Sequence, residues 1–170
     1  MDQPNISFRS WSAQALLALA LAVLSPAASA AELSGRVIGV ADGDTLTVLM
    51  QSQSRGVRVR LVEIDAPEKR QAFGKRSGQS LSEICMNKSA RVVTKGADRY
   101  DRVLGRVYCA GVDANAEQVK RGMAWVYDRY STDASLYAVQ DDARGSHRGL
   151  WADARPVAPW AWRAAKRSRN

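Results

Sequence analysis

Short strands followed by helices are predicted by the pattern of apolar and polar positions beyond residue 32. Over residues 57–64, apolar side chains alternate with Arg58 and Arg60, which is the period of a half-buried strand. Residues 74–87 instead carry apolar side chains three and four positions apart, the spacing of an amphipathic helix. Together with turn and cap residues, the pattern predicts strands at 33–41, 45–50, 57–64, 90–94 and 103–109, and helices at 74–87, 115–121 and 133–146.

Turn and cap residues support this order of elements. Asp42-Gly43 is a common hairpin signal, and Gly122 is a typical stop for the second helix. Asn115 is predicted to cap that helix, with Gln118 at the position of a capping box. The order of elements is three strands, one helix, two more strands and then further helices. This order indicates an α+β fold, a five-stranded OB-type Greek-key β-barrel with three helices.

Residues 1–31 have the composition of a signal peptide. Arg9 gives a positive start, residues 13–24 form an almost unbroken apolar run, and residues 28–30 follow the small-x-small pattern of a cleavage site. The run is shorter than the ~20 apolar residues that span a bilayer, which favours a cleaved leader over an uncleaved membrane anchor. We therefore expect export to the periplasm or the medium, with no membrane attachment after cleavage.

The remaining ~140 residues are enough for one domain with a real core. We assign this domain to residues 32–163 and treat residues 164–170 as a basic C-terminal tail. The net charge is +8, and the leader carries one basic and one acidic residue, so the exported part keeps this charge. Such a charge suits a polyanionic partner, either a nucleic acid or an anionic envelope surface.

The chain has two cysteines, Cys85 and Cys109, and both lie in the part that is predicted to be exported. An oxidising compartment favours one disulfide between them, and two separately buried thiols are the alternative. With His147 as the single histidine, the sequence excludes a zinc site built from cysteine and histidine.

Carboxylates suited to phosphodiester hydrolysis cluster in two short segments. Asp42 and Asp44 lie in the first segment. Asp65 and Glu68 lie in the second, where a proline fixes the direction of the Ala66 carbonyl. Carboxylate and carbonyl oxygens are ligands for a hard cation such as Ca²⁺ or Mg²⁺. A spare carboxylate can take the proton of the attacking water, so the two segments together predict a metal-assisted hydrolase.

Arg60 supplies a guanidinium that fits a phosphate, but its position relative to Asp65 is open. Strict strand alternation puts these two side chains, five positions apart, on opposite faces. They meet only if the chain twists or leaves the strand near Ile64. Otherwise Arg60 is a charged residue on the outer face of the strand. In the same way, Asp42-Gly43 by itself is typical of an ordinary turn.

The order and spacing of these segments resemble the staphylococcal nuclease (thermonuclease) family across residues 33–163. The matching segments are DGDT at 42–45, Arg60 with DAPE at 65–68, FG at 73–74, DRYDR at 98–102, RGMAW at 121–125, RGLW at 148–151 and PW at 159–160. The chain departs from the family at Ala66, where threonine stands in the namesake, at Asp101 in place of glycine, and in a shorter loop at 69–72.

The resemblance implies a calcium site. Asp44 and Asp65 bind Ca²⁺ through their carboxylates, and Ala66 binds it through its backbone carbonyl. Asp42 holds a water on the metal. Glu68 is the predicted general base, which deprotonates or orients the attacking water. All these ligands are oxygens, as Ca²⁺ prefers.

The resemblance also implies the contacts to the substrate. Arg60 and Arg102 are predicted catalytic residues that grip the scissile phosphate, because planar guanidinium groups match phosphate oxygens two at a time. Arg99, Tyr100 and Tyr130 are predicted to bind the neighbouring part of the nucleic acid.

These assignments predict a Ca²⁺-dependent endonuclease that hydrolyses DNA and RNA with little sequence specificity and leaves 3′-phosphate ends. We expect it to act as a monomer without a stable protein partner. Two alternatives come from other classes. One is a non-catalytic OB-fold module that binds nucleic acid, which the retained acids and arginines argue against. The other is an envelope-associated structural protein, whose localisation would be lost on deletion of residues 166–170.

Overall fold

Eight strands and four helices make up the part of the chain that the computed structural model describes, residues 31–51 and 54–168. The predicted signal peptide lies outside these residues except for its last position. The strands are β1 (Glu32–Val40), β2 (Thr45–Met50), β3 (Gly56–Leu61), β4 (Ile64–Asp65), β5 (Ser89–Ala97), β6 (Val103–Cys109), β7 (Val112–Asp113) and β8 (Trp125–Val126). The helices are α1 (Gly74–Cys85), α2 (Ala114–Lys120), α3 (Ala134–Gly145) and α4 (Pro159–Arg167), with a 3₁₀ turn at Gly149–Ala152. Within the described ranges, no helix is long and apolar enough to cross a membrane.

Five of the strands close into a mixed barrel. They pair antiparallel in the order β3-β2-β1-β5-β6, and a parallel pairing of β3 with β6 closes the ring. Irregular pairings near Gly39 in β1 and Gly96 in β5 add the local twist and bending that closure requires. The buried apolar side chains of the strands fill the interior: Val37, Leu46, Val48, Val59, Leu61, Val92 and Val107. The predicted five-stranded OB-type barrel is therefore confirmed.

The structure has four helices where the sequence predicted three. The missing one is α4, which begins with Pro159 and carries tryptophans instead of an aliphatic stripe. Its stability comes from packing, because Trp160 stacks on the ring of Tyr127 at a centroid distance of 5.1 Å. This helix extends to Arg167, so it includes part of the predicted basic tail at 164–170.

The cap of α2 also differs from the prediction. Asp113 caps the helix by accepting a hydrogen bond from the backbone N–H of Ala116, because an aspartate fills this position as well as an asparagine. Asn115 is fully buried instead, and its side chain accepts from the N–H of Val107 and donates to the carbonyl of Val62. The expected capping pair is therefore replaced by a tertiary link between α2 and the barrel.

A disulfide joins Cys85 at the end of α1 to Cys109 at the end of β6, 24 positions away. Both residues are fully buried in the main core cluster. A crosslink that closes a loop of this length removes chain entropy from the unfolded state, and in that account it stabilises the fold by about 3–4 kcal/mol.

Replacing both cysteines by alanine should therefore lower the free energy of unfolding by about 3–4 kcal/mol. Urea denaturation followed by tryptophan fluorescence measures this loss. The unchanged protein in the presence of a thiol reductant is the matched control, and we expect a loss of similar size. A change below about 1 kcal/mol in both experiments would contradict the stabilising role of the crosslink.

Candidate active site

The two acidic segments meet at one end of the barrel. Asp44 follows the turn between β1 and β2, and one of its carboxylate oxygens accepts a hydrogen bond of 2.8 Å from the backbone N–H of Ala66. Asp65 ends β4 and is fully buried, while Asp44 is 3% exposed. Asp42 lies at the rim and accepts a hydrogen bond from the backbone N–H of Asp44. Segments that lie more than twenty positions apart along the chain thus form one carboxylate cluster.

Close packing at Gly43 holds the turn that carries Asp44. A Cβ atom at this position would lie 1.7 Å from the Oγ of Ser77 and 2.7 Å from the Cβ of Ala66, so a larger residue does not fit. The buried Gln118 side chain of α2 donates a hydrogen bond of 2.7 Å to the carbonyl of Gly43. Helices α1 and α2 therefore fix the turn from outside the barrel.

A kink after β3 brings Arg60 and Asp65 together. The sequence predicted one strand over 57–64, but β3 ends at Leu61 and the chain turns at Glu63, which has a φ of 65°. The backbone then re-enters a short strand, β4, which pairs with β8. As a result, a guanidinium N–H of Arg60 donates to a carboxylate oxygen of Asp65 at 2.9 Å, and another donates to Asp44.

The segment that follows β8 stabilises this kink. The backbone N–H of Tyr127 donates to the carbonyl of Glu63 at 2.9 Å. Thr132 donates from both its backbone N–H and its hydroxyl to the carboxylate of Glu63. The left-handed conformation of a glutamate is costly on its own, and these contacts compensate for it.

Burial raises the pKa of Asp44 to about 7. The nearby Arg60 lowers this pKa and thereby offsets part of the effect, while the charges of Asp42 and Asp65 raise it further. Burial by itself lowers the pKa of Arg60, but Asp44 and Asp65 outweigh burial, so that this pKa is raised and the guanidinium stays charged. A bound cation would favour the charged form of Asp44 and offset this effect of burial.

The donor atoms at this cluster fit a hard divalent cation. A group of three or more metal-binding side chains is absent from the residues that the structure describes. Asp44 and Asp65 are only two such side chains, and the third predicted ligand is the backbone carbonyl of Ala66. Carboxylate and carbonyl oxygens match Ca²⁺ or Mg²⁺, whereas softer metals prefer sulfur or imidazole.

The predicted substrate residues line one cleft of about 840 Å³ beside the carboxylate cluster. Arg60, Arg99, Tyr100, Arg102 and Tyr130 all contribute to its walls. Tyr100 and Tyr130 are 64% and 61% exposed, and guanidinium groups lie over their rings, that of Arg99 over Tyr100 at 4.9 Å and that of Arg129 over Tyr130 at 5.6 Å. Sequence reasoning therefore identified residues that share a single surface.

Arg102 does not contact the carboxylate cluster. Its guanidinium forms two hydrogen bonds, of 2.8 and 2.6 Å, to one carboxylate oxygen of Asp98 on the same turn. The turn also contains Asp101, which has a φ of 57°. Glycine is favoured at such an angle, and aspartate tolerates it better than most residues. The turn is therefore retained although aspartate stands here in place of the family's glycine.

Glu68 lies on the loop after β4 with its side chain 42% exposed. One of its carboxylate oxygens accepts a hydrogen bond of 2.8 Å from Arg163. The same guanidinium donates to both carboxylate oxygens of Asp65, at 3.2 and 2.6 Å. Sequence reasoning missed Arg163 because it lies 98 positions from Asp65. No local signal marked this residue, because its contact with Asp65 depends on the packing of α4 against Tyr127 and Trp125.

Helix α4 reaches the site through aromatic packing. Trp160 stacks on Tyr127 with an interplanar angle of 8° and meets the edge of Trp125 at 5.8 Å between centroids. Just before the helix, the carbonyl of Val157 accepts a hydrogen bond of 2.6 Å from the side chain of Gln71. These contacts hold α4 beside the loop at 69–72 and direct Arg163 to the carboxylates.

Comparison with known proteins agrees with the fold and the site. A family model of staphylococcal nuclease homologues matches residues 58–153. An uncharacterized endonuclease of Escherichia coli is 44% identical over 149 residues, which cover 87% of this chain and 96% of the relative. An uncharacterized endonuclease of Haemophilus influenzae is 47% identical over 128 residues, covering 75% and 71%. A micrococcal nuclease of Shigella flexneri is 41% identical over 149 residues, covering 81% and 84%.

The barrel, the carboxylate cluster and the arginine-lined cleft define a nuclease. The extent of the family match and the identity to relatives of similar length agree with that class. The chain belongs to the staphylococcal nuclease family.

Proposed function

We propose that this nuclease is a Ca²⁺-dependent endonuclease that hydrolyses DNA and RNA with little sequence specificity and leaves 3′-phosphate ends. The observation that carries the proposal is the pair of buried carboxylates, Asp44 and Asp65, bridged by Arg60 at the edge of the cleft. A binding module gains nothing from burying two acids side by side, whereas a metal-assisted hydrolase needs them to hold its cation.

The residues of the chain take separate parts in this reaction. Asp44, Asp65 and the carbonyl of Ala66 hold the cation, which when bound neutralises charge on the phosphate. Glu68 lies beside the same carboxylates, partly exposed to solvent, and accepts the proton of the attacking water. Arg60 stabilises the negative charge that develops on the phosphate in the transition state.

Contacts in the cleft favour recognition without sequence preference. Arg99 and Arg102 offer positive charge to phosphates, which every nucleotide carries. Tyr100 and Tyr130 are exposed aromatic residues, and a base that displaces the arginines over their rings can stack there whatever its identity. Arg102 is bonded to Asp98 through two of its nitrogens, and a bound polyanion would compete with Asp98 for this guanidinium.

We also propose export and a monomeric state. Residues 1–31 are the basis for export, and the disulfide between Cys85 and Cys109 supports it, because such bonds persist in oxidising compartments. The monomeric state stays a prediction from the sequence.

Removal of the divalent cation should abolish cleavage. We expect the purified protein to digest both plasmid DNA and RNA with Ca²⁺, much more slowly with Mg²⁺, and not at all with a chelator. End-labelling of the products before and after phosphatase treatment identifies 3′-phosphates. Retardation of DNA on a gel without cleavage under any metal would instead favour the non-catalytic binding module.

A further inference from the structure

Arg163 covers the buried carboxylate of Asp65. The side chain of Asp65 is 0% exposed, whereas that of Arg163 is 34% exposed. The guanidinium contacts both oxygens of Asp65 and one oxygen of Glu68, so it lies between a predicted metal ligand and the predicted base. Of the two arginines that contact Asp65, Arg163 is the more exposed, at 34% against 19% for Arg60.

The hydrogen bonds of Asp65 leave little room for an additional ligand. Its first oxygen accepts from both Arg60 and Arg163, and its second oxygen accepts from Arg163. A carboxylate oxygen has about two lone pairs to share. Three of the roughly four lone pairs of Asp65 are therefore taken, and a divalent cation on the remaining one, at the second oxygen, would meet the positive charge of Arg163 at close range.

Of the two arginines, Arg163 is the one that can give way. Arg60 is 19% exposed and both of its carboxylate partners are buried, whereas one partner of Arg163, Glu68, is 42% exposed. Arg163 is more exposed and projects from a helix whose anchors are Trp160 and the bond between Gln71 and Val157. Its side chain can rotate away without loss of these anchors.

We propose that Arg163 is a displaceable counter-ion of the predicted metal ligand Asp65. It holds Asp65 and Glu68 in place while no cation is bound, and it leaves Asp65 when a divalent cation binds. The inference rests on the proposed metal site. Helix α4 thereby lowers the apparent affinity of the site for the metal. Only the fraction of molecules in which Arg163 is turned away from Asp65 can bind the cation.

Replacing Arg163 by glutamine tests the proposal. If the guanidinium occupies Asp65 in about nine of ten molecules, the variant should bind Ca²⁺ about tenfold more tightly. Isothermal titration calorimetry of the full chain without nucleic acid measures this affinity directly. Arg167→Gln is the matched control, because it removes the same charge one turn along the same helix from an exposed position. Its affinity for Ca²⁺ should stay within about twofold of the unchanged protein.

Arg163→Lys provides a second check. A lysine keeps the charge but cannot reach both carboxylates with a planar fork, so we expect an affinity between those of the unchanged protein and the glutamine variant. Circular dichroism and tryptophan fluorescence should be the same in all variants, because the packing of Trp160 does not involve Arg163.

The possible outcomes separate this proposal from the proposed function. Equal or weaker Ca²⁺ binding by Arg163→Gln, with clear binding by the unchanged protein, overturns the counter-ion role and leaves the calcium site standing. Binding by the glutamine variant alone supports the counter-ion role in its strongest form. Absence of binding in every variant overturns both proposals.

Discussion

Replacing Glu68 by glutamine should lower the turnover number for cleavage of a defined oligonucleotide by about 10²–10⁴-fold. The amide has nearly the shape of the carboxylate, and its oxygen can still accept the hydrogen bond from Arg163. It cannot accept a proton from water, so the loss falls on the chemical step. The affinity for Ca²⁺ should change little, because Glu68 is not among the predicted metal ligands.

The matched control for this variant is Glu83→Gln. Glu83 is an exposed acid on α1, and it pairs with Arg121 away from the carboxylate cluster. Its replacement removes the same charge from the chain and should leave turnover within about twofold, as expected for a surface site. Two results would contradict the assignment of Glu68. One is a loss of turnover smaller than tenfold, and the other is a parallel loss of Ca²⁺ affinity.

Replacing Arg60 by lysine should lower turnover by about 10²–10³-fold, by analogy with the removal of one transition-state hydrogen-bond donor. Arg60 bridges Asp44 and Asp65 with two different nitrogens and also lines the cleft. A lysine keeps the charge but has a single nitrogen, so it cannot bridge two carboxylates and hold a phosphate at the same time. Steady-state kinetics should assign most of the loss to turnover rather than to the Michaelis constant.

Arg58→Lys is the matched control on the same strand. Arg58 lies two positions before Arg60 on the same face of β3, but its side chain is exposed. The substitution should not change turnover measurably, because this arginine contacts neither carboxylate. Equal effects of the two substitutions would mean that Arg60 contributes only its surface charge. Urea denaturation of both variants shows whether folding accounts for any difference.

Local sequence determined the barrel. The predicted strands at 45–50 and 103–109 coincide with β2 and β6, and the helix at 74–87 overruns α1 by two residues. Alternation, helical spacing and turn residues act between near neighbours, so they can be interpreted without knowledge of the fold. The chemistry of the site could be predicted in the same way, because the residue types and spacing of the two acidic segments indicated that they bind a metal ion and a phosphate.

The local pattern of apolar and polar residues did not predict helix α4. Its tryptophans gain their stability from Tyr127 and Trp125, which belong to a distant part of the chain. The roles of Asn115 and Gln118 were misjudged for the same reason. Both types of side chain suit a helix start, but in the fold both are buried and bonded to the backbone of other elements.

By itself, the sequence determined a basic chain with a five-stranded barrel and a set of acids and arginines suited to phosphodiester hydrolysis. Tertiary structure decided which of these groups meet. The turn at Glu63 overrides the alternation that would separate Arg60 from Asp65, and its stabilising contacts come from Tyr127 and Thr132. Aromatic packing of α4 brings Arg163 to Asp65. Both arrangements depend on contacts between residues far apart in the chain, and such contacts leave no periodic trace in the sequence.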